Sequence, residues 1–313
     1  MIVKQAKKVI KSIIYTIENF IFTFIFIFKK TAKAQKKYYF SICAIFKDES
    51  IYLKEWIEYH KIVGVDHIYL YNNFSEDDFL SILQQYIDEQ YVTLVEWPFE
   101  LAQIPAYKHC YDNYKDETYW MAFIDLDEFI CPKQETDIKE WIKKFEKYPS
   151  IIMYCLMFGT SGKIEYDPNQ LVIEQYTSSW SDIRNVGKIA LNTNFTPVKM
   201  YHHYIYCWIK ILGIKFKIPS INEKRYFVLD YGGHKVPSNN TIQINHYWSK
   251  CLSEYVRKID KGDMFSKSND EIRKKMDFFY WHEYQNVSEN KIIYRFLTKL
   301  KMQLYGIDIK FKQ

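Results

Sequence analysis

From Tyr38 to Ile130 the chain alternates short β-branched or aromatic apolar runs with stretches whose apolar residues recur at helical spacing, which leaves few folds open. Phe40 to Phe46 reads as a strand. Leu53, Trp56, Ile57, His60 and Val63 share one face of a helix that Asp48 or Ser50 is placed to cap and that Gly64 ends. His67 to Tyr71 is the next strand, followed by a polar loop at Asn72-Asn73-Phe74-Ser75 and a helix over Asp77 to Tyr86. A strand over Tyr91 to Trp97 and a helix near Gln103 to Tyr114 lead to a last apolar run, Phe123 to Ile130. This β-α-β-α-β-α-β order predicts an α/β fold, a mostly parallel mixed sheet with helices on both faces, because parallel neighbours need crossover connections.

The run Phe123-Ile124-Asp125-Leu126-Asp127-Glu128-Phe129-Ile130 reads as a buried strand, yet it holds three acids. Burying carboxylates costs several kcal/mol each unless they are paired or bound to a cation. On a strand Asp125 and Asp127 point the same way, toward one site at the strand's carboxyl end. Hard oxygen ligands of this kind suit Mg²⁺ or Mn²⁺ shared with a phosphate. Lys47-Asp48-Glu49 and Asn72-Asn73 fall at the carboxyl ends of other strands, where such sheets bind ligands. The chain has neither GxGxxG nor GxxxxGK[ST], so metal rather than a glycine loop must neutralise a diphosphate.

With 313 residues the chain is long enough for one large α/β body with appendages. Its six cysteines stand singly with no CxxC pair, which indicates neither a structural zinc nor a disulfide framework. Charge is unevenly spread: residues 1–37 hold nine lysines and one acid, Glu18, while the rest of the chain is slightly acidic. An acidic body without a basic stripe is a poor match for nucleic acid, whereas a lysine-rich apolar arm suits an anionic membrane surface. Ile13 to Phe28 is apolar but interrupted by Glu18-Asn19, and a spanning helix needs about 20 apolar residues. An interfacial helix, an anchor and a helix packed on the body all stay open.

After Trp141 the pattern loosens. Ile151 to Phe158 predicts a strand ending in the flexible turn Gly159-Thr160-Ser161-Gly162, and His202-His203, Gly232-Gly233-His234 and Asn245-His246-Tyr247-Trp248 follow in loop-rich sequence. Asn269 to Gln303 reads as two amphipathic helices. The expected divisions are residues 1–37, 38–262 and 263–313.

The blocks FKDESIYLKEWIEYHKIVGVDHIYLYNNFSEDD, QIPAYKHC, WMAFIDLDEFICP, FGTSG with LVIEQYT, and INHYWSK with KIDKGD occur in order over residues 40–262. Together they resemble glycosyltransferases of families 2 and 92. The resemblance implies a GT-A, Rossmann-like fold and an inverting, metal-dependent transferase with a nucleotide-sugar donor, UDP-sugar favoured. It implies that Asp125-Leu126-Asp127 is the metal and diphosphate motif, with Asp127 the direct ligand and Asp125 also near the donor's ribose or sugar. His246 falls where many such enzymes place a late histidine on the metal or diphosphate. Lys47, Asp48, Glu49, Asn72 and Asn73 fall in donor-binding loops, and Gln103 matches a recurrent glutamine.

Inverting transfer also needs a base within about 3 Å of the acceptor hydroxyl. Glu165, Glu174 and Asp182 follow the FGTSG turn as alternatives, with Glu174 favoured by its block. Trp180 and Trp248 lie in loop-like sequence where a sugar can stack. The expected acceptor is a glycan or glycolipid; a lysine- and isoleucine-rich composition with few glycines and prolines suggests an AT-rich bacterial genome, and the basic arm then points to cell-envelope polysaccharide or lipooligosaccharide synthesis at the inner face of the cytoplasmic membrane. A membrane anchor in the secretory pathway is the other setting. A metal-dependent phosphohydrolase or nucleotidyltransferase, or a catalytically silent carbohydrate-binding scaffold, are the competing functions.

Overall fold

In the computed structural model, which describes residues 2–27, 35–201, 203–211, 213–228, 236–261 and 276–307, the apolar runs become parallel strands. After an N-terminal helix α1 (Ile2–Ile27) come β1 (Tyr38–Phe46), α2 (Ser50–Ile62), β2 (His67–Asn72), α3 (Phe79–Asp88), β3 (Val92–Glu96), α4 (Gln103–Tyr114) and β4 (Thr118–Phe123). The four strands pair in parallel in the order β3-β2-β1-β4. Every residue of β1 from Phe40 onward, and all of β2 and β4, is buried, as two-sided coverage by helices requires.

The expected continuous strand over the acidic run is instead two. β4 ends at Phe123 and β5 (Glu128–Pro132) begins five residues on, with Ile124 to Asp127 in an open turn between them. Opening the run lets the carboxylates leave the ladder, so Asp125 and Asp127 need not point alike. Next come α5 (Ile138–Ile142), β6 (Ser150–Met157), α6 (Val172–Gln175), β7 (Ser178–Ser179) and β8 (Gly187–Asn192). β9 (Thr196–Met200), β10 (Ile205–Ile211) and β11 (Ile214–Pro219) form a separate antiparallel sheet in a region read from sequence as loop-rich. β12 (Ile242–His246), α7 (Leu252–Lys261), α8 (Met276–Glu283), β13 (Ser288–Glu289) and α9 (Leu297–Tyr305) complete the chain, β13 pairing with β7.

The main sheet runs β3-β2-β1-β4-β8-β6-β12-β5, with β8 and β5 antiparallel to their neighbours. Four strand spacings of about 4.8 Å separate β4 from β5 in that order, more than the five Cα steps from Phe123 to Glu128 can span at about 3.5 Å each. The sheet therefore curls. Curling brings the carboxyl ends of β1, β4, β6 and β12 to one mouth, where antiparallel β5 and β8 both start.

Four local expectations change. The first residue of α2 is not capped by Asp48 or by its own side chain: Glu49 holds the N-cap position without a side-chain bond, and Ser50 N–H donates 2.7 Å to Asp77 Oδ2 from the next loop. The polar interruption in α1 is its docking point, since the Asn19 side chain accepts from Phe227 N–H at 2.6 Å and donates to Phe227 O at 3.3 Å. The fully buried Phe26 stacks on Tyr148, ring centroids 5.2 Å apart. No described helix is long and apolar enough to cross a membrane, and α1 leaves Ile10, Ile13, Ile14, Ile17, Phe20 and Ile21 exposed on its other side. At the C-terminus the second amphipathic stretch breaks into β13, a 3₁₀ turn and α9, which packs on α2 with Leu300 fully buried. All six cysteines are buried thiols. Lys29, Lys30, Lys33, His202, Gly232, Gly233, His234 and the Gly262-Asp263 end of the KIDKGD block lie outside the described residues.

Candidate active site

At the sheet's mouth the first carboxylate is held entirely by its own chain. Asp125 Oδ1 accepts from Gln103 Nε2 at 2.7 Å and Tyr107 OH at 3.1 Å, and Oδ2 accepts from Lys188 Nζ at 2.6 Å. Gln103 thus has a positional role, at the start of α4, that its sequence block alone left undefined. Lys188 reaches this point because β8 runs antiparallel and begins beside the ends of β4 and β6. It is buried and also stands 3.2 Å from Glu128, itself fully buried. Burial would drive the ammonium toward neutrality, but Asp125 and Glu128 overturn this and hold its pKa well above the ordinary lysine value. Burial pushes the Glu128 carboxyl up to about 6 against the pull of Lys188.

Asp127 is built differently. Its backbone carbonyl accepts from Tyr247 N–H at 2.8 Å, which ties the turn to the end of β12. Oδ2 accepts from Lys258 Nζ at 2.5 Å, while Oδ1 faces His246 Nε2 at 3.4 Å. That imidazole nitrogen is buried and makes no hydrogen bond among the described residues, and the ring's Nδ1 lies 3.4 Å from Glu128 Oε1. Burial would raise the Asp127 carboxyl, and Lys258 with His246 instead hold it well below the usual range. An ionised carboxylate oxygen and an orphaned imidazole nitrogen at 3.4 Å match two adjacent corners of an octahedral shell, which for ligands at about 2.1 Å are about 3 Å apart. The donor set therefore fits Mn²⁺ or Mg²⁺ on Asp127 and His246. Asp125, expected beside Asp127 as a ligand, has both oxygens committed elsewhere.

The far wall is cationic. Lys261 Nζ on α7 lies 2.8 Å from Glu49 and donates to the carbonyls of Lys47 (3.0 Å) and Asp48 (2.6 Å). Arg257 donates to Asp48 O at 2.7 Å, and Lys250 Nζ lies 3.4 Å from Glu49. Between this helix and the first loop lies a shallow, solvent-open cavity of about 590 Å³ whose lining includes Lys47, Asp48, Arg257, Asp260 and Lys261. Asp48 takes a positive φ of 50° there, held by Ser75 and Glu76 from the second loop. The Asn72 and Asn73 side chains serve that second loop itself: Asn72 donates to Glu96, and Asn73 to the carbonyls of Trp97 and Phe99.

The expected bases are not brought to the mouth by any contact. Glu165 and Asp182 are exposed, and Glu174 pairs with Lys301 of α9 at 2.5 Å. Its LVIEQYT block docks on α2 instead, where buried Glu55 accepts from Val172 and Ile173 N–H. The acid at the FGTSG turn is Glu283, which accepts from Thr160 Oγ1 at 2.7 Å and from Thr160 N–H at 3.2 Å. Two residues earlier, Phe158 N–H donates to His246 O, so Glu283 sits one strand away from the metal candidate. A Cβ on Gly159 would displace the side-chain ends of Asn286 and Glu283, which pack against this turn, and the turn is anchored rather than loose. His282 lies 3.4 Å from Glu283, with burial lowering its pKa, and packs between Trp248 and Trp180 at centroid distances of 4.9 and 5.4 Å. Trp180 in turn meets Trp281 edge-on.

Sequence reasoning missed Lys188, Lys258, Lys261, His282 and Glu283. Lys188 carried a signal, a lone charge in the apolar run GKIALN, by the same logic that exposed the acidic triplet.

The family model of glycosyltransferase family 92 matches residues 36–304. A glycosyltransferase family 92 protein of Arabidopsis thaliana is 33% identical over 238 residues, covering 74% of this chain and 39% of the relative. Others from Ricinus communis and Oryza sativa subsp. japonica are 29% and 26% identical, covering 55% and 62% of this chain and 32% and 34% of theirs. The chain thus spans about a third of the length of the curated relatives it matches. Among solved structures, S. aureus TarS 1–349 in complex with UDP superposes on 50% of this chain and 47% of its own, with 14% identity and a TM-score of 0.33, a likeness too distant to argue from.

Proposed function

The chain belongs to glycosyltransferase family 92, and we propose that it transfers a sugar, with inversion, from a nucleotide-sugar donor to a glycan or glycolipid acceptor. The observation that carries this reading is the pairing of Asp127 Oδ1 with an orphaned His246 Nε2 at the sheet's mouth, beside a cavity lined by Lys47 and Asp48. Asp127 and His246 would hold Mn²⁺ or Mg²⁺, which when bound offsets the charge on a departing diphosphate. Asp125 keeps the turn in place through Gln103, Tyr107 and Lys188. The first loop and α7 enclose the nucleoside, for which UDP is the first to try. Glu283, anchored on Thr160, is the acceptor-side base in this reading.

The exposed apolar side of α1, next to a lysine-rich sequence, supports contact with an anionic membrane surface, with envelope polysaccharide or glycolipid synthesis as the setting. The test is calorimetric titration of UDP and UDP-sugars into the full chain with and without Mn²⁺, beside Asp127→Ala. Binding that needs Mn²⁺ and is lost in the variant is the expected result. Nucleotide binding indifferent to both would overturn the metal assignment, and no binding of any nucleotide would overturn the transferase reading.

A further inference from the structure

Four cations, Lys250, Arg257, Lys258 and Lys261, stand within twelve residues of chain and all face one seam, opposite Asp127 and Glu49. Lys258 and Lys261 lie three residues apart on one face of α7. Each ammonium is held by a carboxylate and by carbonyl oxygens: Lys258 by Asp127 and Trp248 O at 3.1 Å, Lys261 by Glu49 and the first loop. The seam they close contains space for about one water molecule, about 10 Å³, against about 590 Å³ in the adjoining cavity.

Resting on the transferase reading, we propose that α7 is the diphosphate-binding element of this protein, and that Lys258 couples diphosphate binding to metal binding by leaving Asp127 for a phosphate oxygen. The charges favour such an exchange. A divalent cation on Asp127 Oδ1 would stand a carboxylate's width from the Lys258 ammonium on Oδ2, and like charges that close repel strongly in a partly buried site. A diphosphate entering from the cavity removes the conflict, because its oxygens accept the ammonium and share the cation. Lysine suits this role: it binds phosphate as a point charge, and its four-carbon stem swings without backbone movement. Lys261 follows the same course from Glu49, while Arg257, paired with Glu254 at 2.5 Å, keeps the first loop against the helix. The coupling is reciprocal, so each ligand must tighten the other by the same factor.

The probe is inorganic pyrophosphate, which tests the diphosphate site without a base or sugar, titrated with Mn²⁺ into the full chain and compared with UDP. In the wild type, Mn²⁺ alone should bind weakly and pyrophosphate should tighten it at least about tenfold. Lys258→Met should bind Mn²⁺ alone about fivefold or more tighter, because Asp127 is released, yet lose most of the pyrophosphate effect. Lys258→Arg should retain that effect to within about threefold. Lys261→Met should weaken pyrophosphate and UDP about tenfold without changing Mn²⁺ alone, and it decides the matter if Lys258→Met unfolds. Wild-type coupling that survives in both methionine variants overturns the inference and leaves the transferase reading standing. A wild type that binds neither Mn²⁺–pyrophosphate nor any Mn²⁺–nucleotide overturns both.

Discussion

Asp125 and Asp127, two residues apart, are held differently: one by a glutamine, a tyrosine and a lysine, the other by Lys258 on one oxygen while its second oxygen faces the His246 imidazole at 3.4 Å. Their alternation in sequence says only that both are expensive to bury. Which one is available to a ligand depends on Lys188 and Gln103, which arrive from β8 and α4. Glu283 follows the same rule, since nothing near it in sequence marks it as part of a site. Glu283→Gln keeps its bonding shape and removes the base, so turnover should fall by a factor of about 10²–10⁴ with UDP affinity unchanged. A variant with normal turnover but a lowered melting temperature would reduce Glu283 to a structural cap. Glu55 provides a stability counterpart. Burial pushes its carboxyl up to about 7, although Val172 and Ile173 N–H groups donate to it. The folded state then keeps a proton that the unfolded chain releases near the ordinary carboxyl value, so this group's stability is complete below about pH 4.5 and is lost as pH rises through about 7. Denaturant melts of Glu55→Gln should gain on wild type by up to about 3 kcal/mol over that interval, and parallel pH profiles would contradict the assignment.

At the scale of elements, α1 shows how one helix answers two sequence readings at once. Asn19 and Phe26 dock it on Phe227 and Tyr148, while Ile13, Ile17 and Ile21 point to solvent from the other side at roughly half exposure. An apolar stripe at spacing i, i+4, i+8 has no benefit in water and suits a lipid interface. Replacing all three isoleucines by glutamate should weaken co-sedimentation with anionic vesicles at least about tenfold while leaving thermal melting unchanged, because the docked face is untouched. Binding undiminished by the change would place the membrane contact elsewhere. Helix α2 was legible because Leu53, Trp56, Ile57, His60 and Val63 share one face and Gly64 ends it, and α4 chiefly from its place between two strands. The antiparallel strands β9 to β11 lay in sequence read as loop-rich although two of them carry strand signals, an apolar run at Ile205–Ile211 and strict alternation over Ile214-Lys215-Phe216-Lys217-Ile218; only β9, mostly exposed and holding Pro197, shows neither.

On the scale of the whole molecule, the C-terminal elements pack on α2, on the end of β5 and beside α6. Phe296 meets Tyr59 edge-on, Arg295 donates to Pro132 O, and Lys301 pairs with Glu174. A chain ending at residue 275 loses all three and the Glu283 anchor, so calorimetry should show a broadened or absent unfolding transition; a cooperative melt at the original temperature would contradict this packing. The parallel α/β architecture and the anomaly of an acidic triplet in an apolar run were determined by the sequence itself. They rest on local periodicity and on the cost of burying charge, which short segments carry within themselves. Only the tertiary structure decided which carboxylate faces the His246 imidazole, which cations pair with each and which acid anchors the FGTSG turn. Lys188, His246, Lys258 and Glu283 meet Asp125, Asp127 and Thr160 across separations of 63 to 131 residues, and contacts set by sheet curl and strand order leave no periodic trace in the chain.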